Sequence, residues 1–149
     1  MTEVLFYHLE RMPLERVLPE LLEKCLERQW KAVVQVGSEE RCEALDGQLW
    51  TYRDDTFLPH GTARDGPGQR QPVWLTTGDD NPNGAEVRFL TDGAEPSDIG
   101  SYRRVVVIFD GNDPDALDQA RALWKAVKAD GYDVTYWQQG ERGRWEKKA

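Results

Sequence analysis

The chain has 149 residues, with 27 Asp and Glu against 19 Lys and Arg, a formal charge of -8, and 39% hydrophobic residues. That length suits one domain with a real core, and the composition excludes a disordered chain. No apolar run reaches the ~20 residues that span a bilayer, and no basic region precedes the apolar start, so neither a membrane span nor a signal peptide is expected, and the cytoplasm is.

Residues 4–9, Val-Leu-Phe-Tyr-His-Leu, form a short apolar run that predicts a buried strand. After Pro13, Val17, Leu18, Leu21, Leu22, Cys25, Leu26 and Trp30 recur at spacings of three and four, which predicts a helix. Residues 31–36 read as a second buried strand, ended by Gly37. Ser38 is a candidate N-cap for a helix carrying Cys42, Leu45, Leu49 and Trp50, although Arg41 stands where a capping box has an acid. Residues 59–72 are rich in Pro and Gly, and 78–84 form turns. Strands are predicted at 72–77, 86–90 and 103–110. The last of these, Arg-Arg-Val-Val-Val-Ile-Phe-Asp, is apolar on both faces and so belongs in the centre of a parallel sheet. Asp113-Pro114 supplies an N-cap and a first helical proline for a helix to about Asp130, closed by Gly131. Tyr132 to Gln139 is the final strand. The alternation predicts one domain over residues 1–149, an α/β three-layer sandwich around a mainly parallel, Rossmann-like sheet. The polar residues 140–149 are expected to fray.

Catalytic signatures are missing. No Gly-x-Gly-x-x-Gly, phosphate-binding Lys-Ser/Thr or Gly-x-Ser-x-Gly string is present, and His8 and His60 lie far apart. Cys25 and Cys42 have no partner at ligand spacing and read as small buried hydrophobes. No catalytic residue, cofactor or metal is therefore expected. The alternative is a small metal-dependent enzyme using Asp110, at the end of the central strand, with the Asp79–Asn83 loop. The Asp-Asp-Asn-Pro-Asn-Gly composition favours a solvated turn instead.

Charge is unevenly spread. Residues 121–149 hold 7 Lys and Arg against 4 acids, net +3, which leaves -11 on residues 1–120. At about 100° per residue, Ala116, Ala120, Leu123 and Val127 share the face turned to the sheet. Arg121, Lys125 and Lys128 cluster beside them, with Trp124 on the border. A cationic ridge holding an indole on an anionic body suits an acidic, aromatic peptide. A nucleic-acid backbone would be repelled by the rest of the molecule, and no basic groove with interleaved aromatics is apparent in the sequence. A second candidate surface joins Leu49-Trp50 to Phe57-Leu58-Pro59-His60-Gly61, where large apolar groups fall at a helix end and a loop.

These strings resemble the chi subunit family of the bacterial DNA polymerase III holoenzyme over nearly the whole chain. Phe6-Tyr7, Leu49-Trp50, Phe57-Leu58-Pro59-His60-Gly61, Pro72-Val73, Arg121, Trp124-Lys125 and Gly131-Tyr132 occur in the family's order. The resemblance implies an α/β fold without catalysis of its own. It also implies an adaptor between the clamp loader and the acidic C-terminal tail of single-stranded DNA-binding protein, which ends in Asp-Phe. Arg121, Trp124 and Lys125 would form the tail pocket. The family often has Tyr at the position of Trp124, and Leu117 replaces a basic residue, a loss that Lys128 would offset. Trp50, Phe57, Pro59 and His60 would face the psi subunit, another clamp-loader component, or a helicase of the XPD-like type.

Overall fold

The structure is a computed structural model. It describes residues 2–148 except 11, 52–61, 63–70, 79, 92, 95–97 and 141–143, and only the backbone of Trp50 and Thr51. In chain order the elements are β1 (Glu3–Leu9), α1 (Leu14–Glu27), β2 (Ala32–Gln35), α2 (Glu39–Thr51), β3 (Val73–Thr76), β4 (Val87–Leu90), β5 (Arg104–Asp110), α3 (Pro114–Ala129), β6 (Asp133–Gln139) and β7 (Trp145–Lys147). A 3₁₀ turn, Ile99–Ser101, precedes β5.

The strands form one sheet in the order β3-β2-β4-β5-β1-β6-β7, parallel except at β6–β7. This is the expected three-layer sandwich. One apolar cluster joins α1 and α2 to one face through Val34, Phe89, Val106 and Ile108. The other joins α3 to the opposite face through Phe6, Val105, Val107 and Phe109. Alternation along β5 feeds both clusters, which is why its sequence is apolar throughout and why it sits mid-sheet. Each such side chain contributes about 1.5–3 kcal/mol when fully buried.

Helix ends follow local chemistry. The Ser38 hydroxyl accepts the Arg41 amide at 3.2 Å, and the Asp113 carboxylate accepts the Asp115 amide at 3.0 Å. Gly131, at φ +87°, closes α3: its own amide reaches the Lys128 carbonyl and the Tyr132 amide reaches that of Val127. The same motif ends α1 early. Gln29 takes φ +61°, its amide bonds to the Leu26 carbonyl and the Trp30 amide to that of Cys25. Trp30, expected to continue the helical face, is instead swung around the helix end.

Two further features depart from expectation. Within 140–149, Trp145–Lys147 pair antiparallel with β6, with Trp145 edge-on to Tyr7 at a ring-centroid distance of 4.9 Å. Arg88, read only as part of a strand, is a buried cation at 1% exposure. Its five N–H groups are taken by Gln35 Oε1 (3.1 and 2.6 Å), the Gly78 and Asp80 carbonyls (2.6 and 3.1 Å) and the Tyr102 hydroxyl (3.0 Å). Neutral acceptors thus satisfy a guanidinium that would otherwise be costly to bury.

Candidate functional site

The ridge forms on α3 as the spacing implies. Ala120 and Val127 are buried against the sheet and Ala116 and Leu123 are half-buried, while Arg121, Lys125 and Lys128 are exposed. Trp124 is half-buried. Its ring meets Phe6 and Tyr136 edge-on, with centroids 5.5 and 5.7 Å away. The Lys128 ammonium stands 5.1 Å above the same ring. One side of the indole is thus fixed by packing while its border stays accessible. Among the described residues, none forms a salt bridge with Arg121 or Lys125.

Two residues missed in the sequence complete the wall behind the ridge. His8 follows Phe6 by two on β1, and Tyr136 is the cross-strand partner of Phe6 on β6, so all three share the α3 face. His8 Nδ1 lies 2.6 Å from the Tyr136 hydroxyl, and His8 Nε2 lies 3.3 Å from the Glu10 carboxylate. The Glu10 contact favours the proton on Nε2, which leaves Nδ1 to accept from the phenol. Burial holds His8 below the usual histidine range. Glu10 opposes that shift, Arg121 reinforces it, and Asp110 opposes it weakly. Burial likewise pushes the Tyr136 phenol up, against the pull of Arg121. The field of Arg121 therefore reaches both groups. The available signal in the sequence was a histidine inside an apolar strand, on the same face as Phe6. Gly111 makes room for it: a Cβ there would fall 1.8 Å from His8 Nε2.

The other flank of α3 differs. Phe109, Ala116, Ala120 and Leu123 line a 410 Å³ slot between the helix and β5. Beyond the carboxyl ends of β1 and β5 lies a 710 Å³ depression rimmed by Glu10, Glu15, Asp110, Asp113 and Asp115. Among the described residues its one cation, Arg41, is paired with Glu15 at 3.2 Å. These carboxylates oppose an anionic ligand at this mouth.

Asp110 lies in that depression, exposed, and accepts the Asn112 amide at 2.9 Å. Asp80 lines a different one with Trp74 and Thr76, and its carboxylate accepts from the Trp74 indole at 3.1 Å and the Thr76 hydroxyl at 2.5 Å. Asn81 and Asn83 bind backbone groups. The structure therefore does not bring Asp110 and this loop into one site, and Asp79 lies outside the described residues. No group of three or more His, Cys, Asp and Glu side chains suited to a metal occurs among the described residues. Burial raises the Cys25 thiol to about 11, as expected of an unreactive core cysteine. Of the second surface, Trp50 falls at the end of α2 with only its backbone described, and Phe57, Pro59 and His60 lie outside the described residues. No helix is long and apolar enough to cross a membrane among the described residues.

Comparison with known proteins shows the family. Residues 1–135 match the family described as DNA polymerase III chi subunit, HolC. A Rickettsia prowazekii (strain Madrid E) protein named as a DNA polymerase III subunit chi is 30% identical over 117 residues, covering 74% of this chain and 71% of that protein. The DNA polymerase III subunit chi of Pseudomonas aeruginosa is 26% identical over 112 residues, covering 72% of this chain and 77% of its own. With the match running from β1 into β6, this chain belongs to the DNA polymerase III chi subunit family.

Proposed function

We propose that this chain is a non-catalytic adaptor that links the clamp loader of the replicative polymerase to the acidic C-terminal tail of single-stranded DNA-binding protein. The observation that carries this reading is the pairing of exposed Arg121 and Lys125 with the accessible border of Trp124, on the one positive third of an anionic chain. A terminal carboxylate and an adjacent Asp fit the two cations by charge-assisted hydrogen bonds, and a terminal Phe fits the indole. Lys128, already over that ring, supplies the charge that Leu117 lacks.

Calorimetry with an acidic peptide ending in Asp-Phe tests the ridge. Arg121→Glu weakens binding by about 2 kcal/mol, and added salt weakens the unaltered protein. Equal affinity in the variant and the unaltered chain would remove the ridge from the proposal.

The second half of the adaptor is the surface of Trp50, Phe57, Pro59 and His60, which takes psi, another clamp-loader component or an XPD-like helicase. Its support is the family resemblance of those residues. Trp50→Ala with Phe57→Ala abolishes capture of purified clamp-loader subunits and leaves the melting temperature in place. A fall in melting temperature would instead make these side chains part of the core.

A further inference from the structure

On the face of the sheet opposite the ridge, the C-terminal end of α1 collects an unusual set of charges. Three guanidinium groups, Arg28, Arg104 and Arg103, stand 5.0, 5.3 and 5.4 Å from the centre of the Trp30 ring. They come from the end of α1 and the start of β5, and it is the Gln29 turn that brings the indole among them. Beside this cage a 470 Å³ groove runs between α1 and the sheet, with Tyr7, Leu21, Val106 and Trp137 in its lining and Lys24, Arg28 and Arg104 at its edge.

Among the described residues, a salt bridge reaches only one of these cations. Glu3 reaches Arg104 at 3.4 Å, and Glu86 is held on the Lys31 amide at 2.7 Å. Arg104 Nε is buried without a hydrogen-bond partner among the described residues. Like charges gathered around one ring repel each other unless an anion joins them. The apolar lining adds a demand that a bare ion does not meet.

We infer that this groove docks a second polypeptide, through an acidic segment that places an apolar side chain against Tyr7 and Trp137 and its carboxylates on Arg28, Arg103 and Lys24. Trp, Tyr and Arg are the residues that dominate binding energy in protein interfaces. Single-stranded nucleic acid fits less well. Guanidinium groups already crowd the Trp30 ring, so it offers no free stacking platform, and the net charge of -8 opposes a long polyanion. Since α1 and α3 cover opposite faces of the sheet, the groove and the ridge can be filled together. This inference does not depend on the ridge binding a tail.

The test is fluorescence anisotropy with a labelled peptide of Asp and Glu around one internal Phe, its C-terminus amidated so that it lacks the terminal carboxylate. Binding by the full chain, weakened about tenfold or more in Arg28→Glu/Arg103→Glu and retained in Arg121→Glu, supports the groove. Both arginines are exposed, and an unchanged melting temperature checks that the variant folds. Absence of binding, equal binding by the double variant, or loss in Arg121→Glu alone overturns it. Tighter binding of an oligothymidylate, lost in the same double variant, also overturns it by making the site one for nucleic acid.

Discussion

His8 Nδ1 lies 2.6 Å from the Tyr136 hydroxyl, so a strand residue 113 positions before the Arg121 ridge supports the ring that backs it. Tyr136 in turn packs edge-on against Trp124, and His8, titrating behind it, links folding to pH.

The sign of that linkage follows from burial. His8 titrates below its ordinary value in the folded protein, so the unfolded chain takes up the proton first. Stability is therefore level above the ordinary histidine value and falls as the pH drops through about 6.5. His8→Asn keeps an acceptor for the Tyr136 hydroxyl without titrating. Urea unfolding of both proteins at about pH 7.5 and pH 5.5 should give a smaller loss for the variant; equal losses would exclude His8 as the source.

Gly111 is required for space. In Gly111→Ala the added methyl collides with the His8 ring, and the protein loses about 2 kcal/mol. His8→Ala vacates that volume, so the double variant should show a coupling of about 1 kcal/mol or more in a double-mutant cycle. Additive losses would mean that the glycine serves some other purpose.

Arg88 should be among the most sensitive core positions. Arg88→Met leaves the Gly78 and Asp80 carbonyls and the Tyr102 hydroxyl without their donor, at about 3 kcal/mol or more. Arg88→Lys recovers little, since an ammonium cannot reproduce the fork. Chemical denaturation checks both, and a loss under about 1 kcal/mol would count against this network.

Gln29 carries a strained backbone at φ +61°. Gln29→Gly should raise stability by about 0.5 kcal/mol, because glycine enters this region without the side-chain penalty. A lower melting temperature would show that the Gln29 side chain contributes more than the turn costs.

Periodicity and punctuation determined the fold class from the sequence. Apolar runs marked the strands, three-and-four spacing the helices, and Asp113-Pro114 with Gly131 bounded α3 nearly to the residue, because caps and turns are satisfied by neighbours a few positions away. The ridge was legible for the same reason: Arg121, Trp124, Lys125 and Lys128 lie on one helix, and helix geometry fixes their relation. Tertiary structure alone decided what lies behind and beneath. His8 meets Tyr136 across strands far apart in the chain, Arg88 finds acceptors from three segments, and Trp30 meets guanidiniums from α1 and β5. Such contacts depend on strand order and register, which act between distant residues and leave no periodic trace in the sequence.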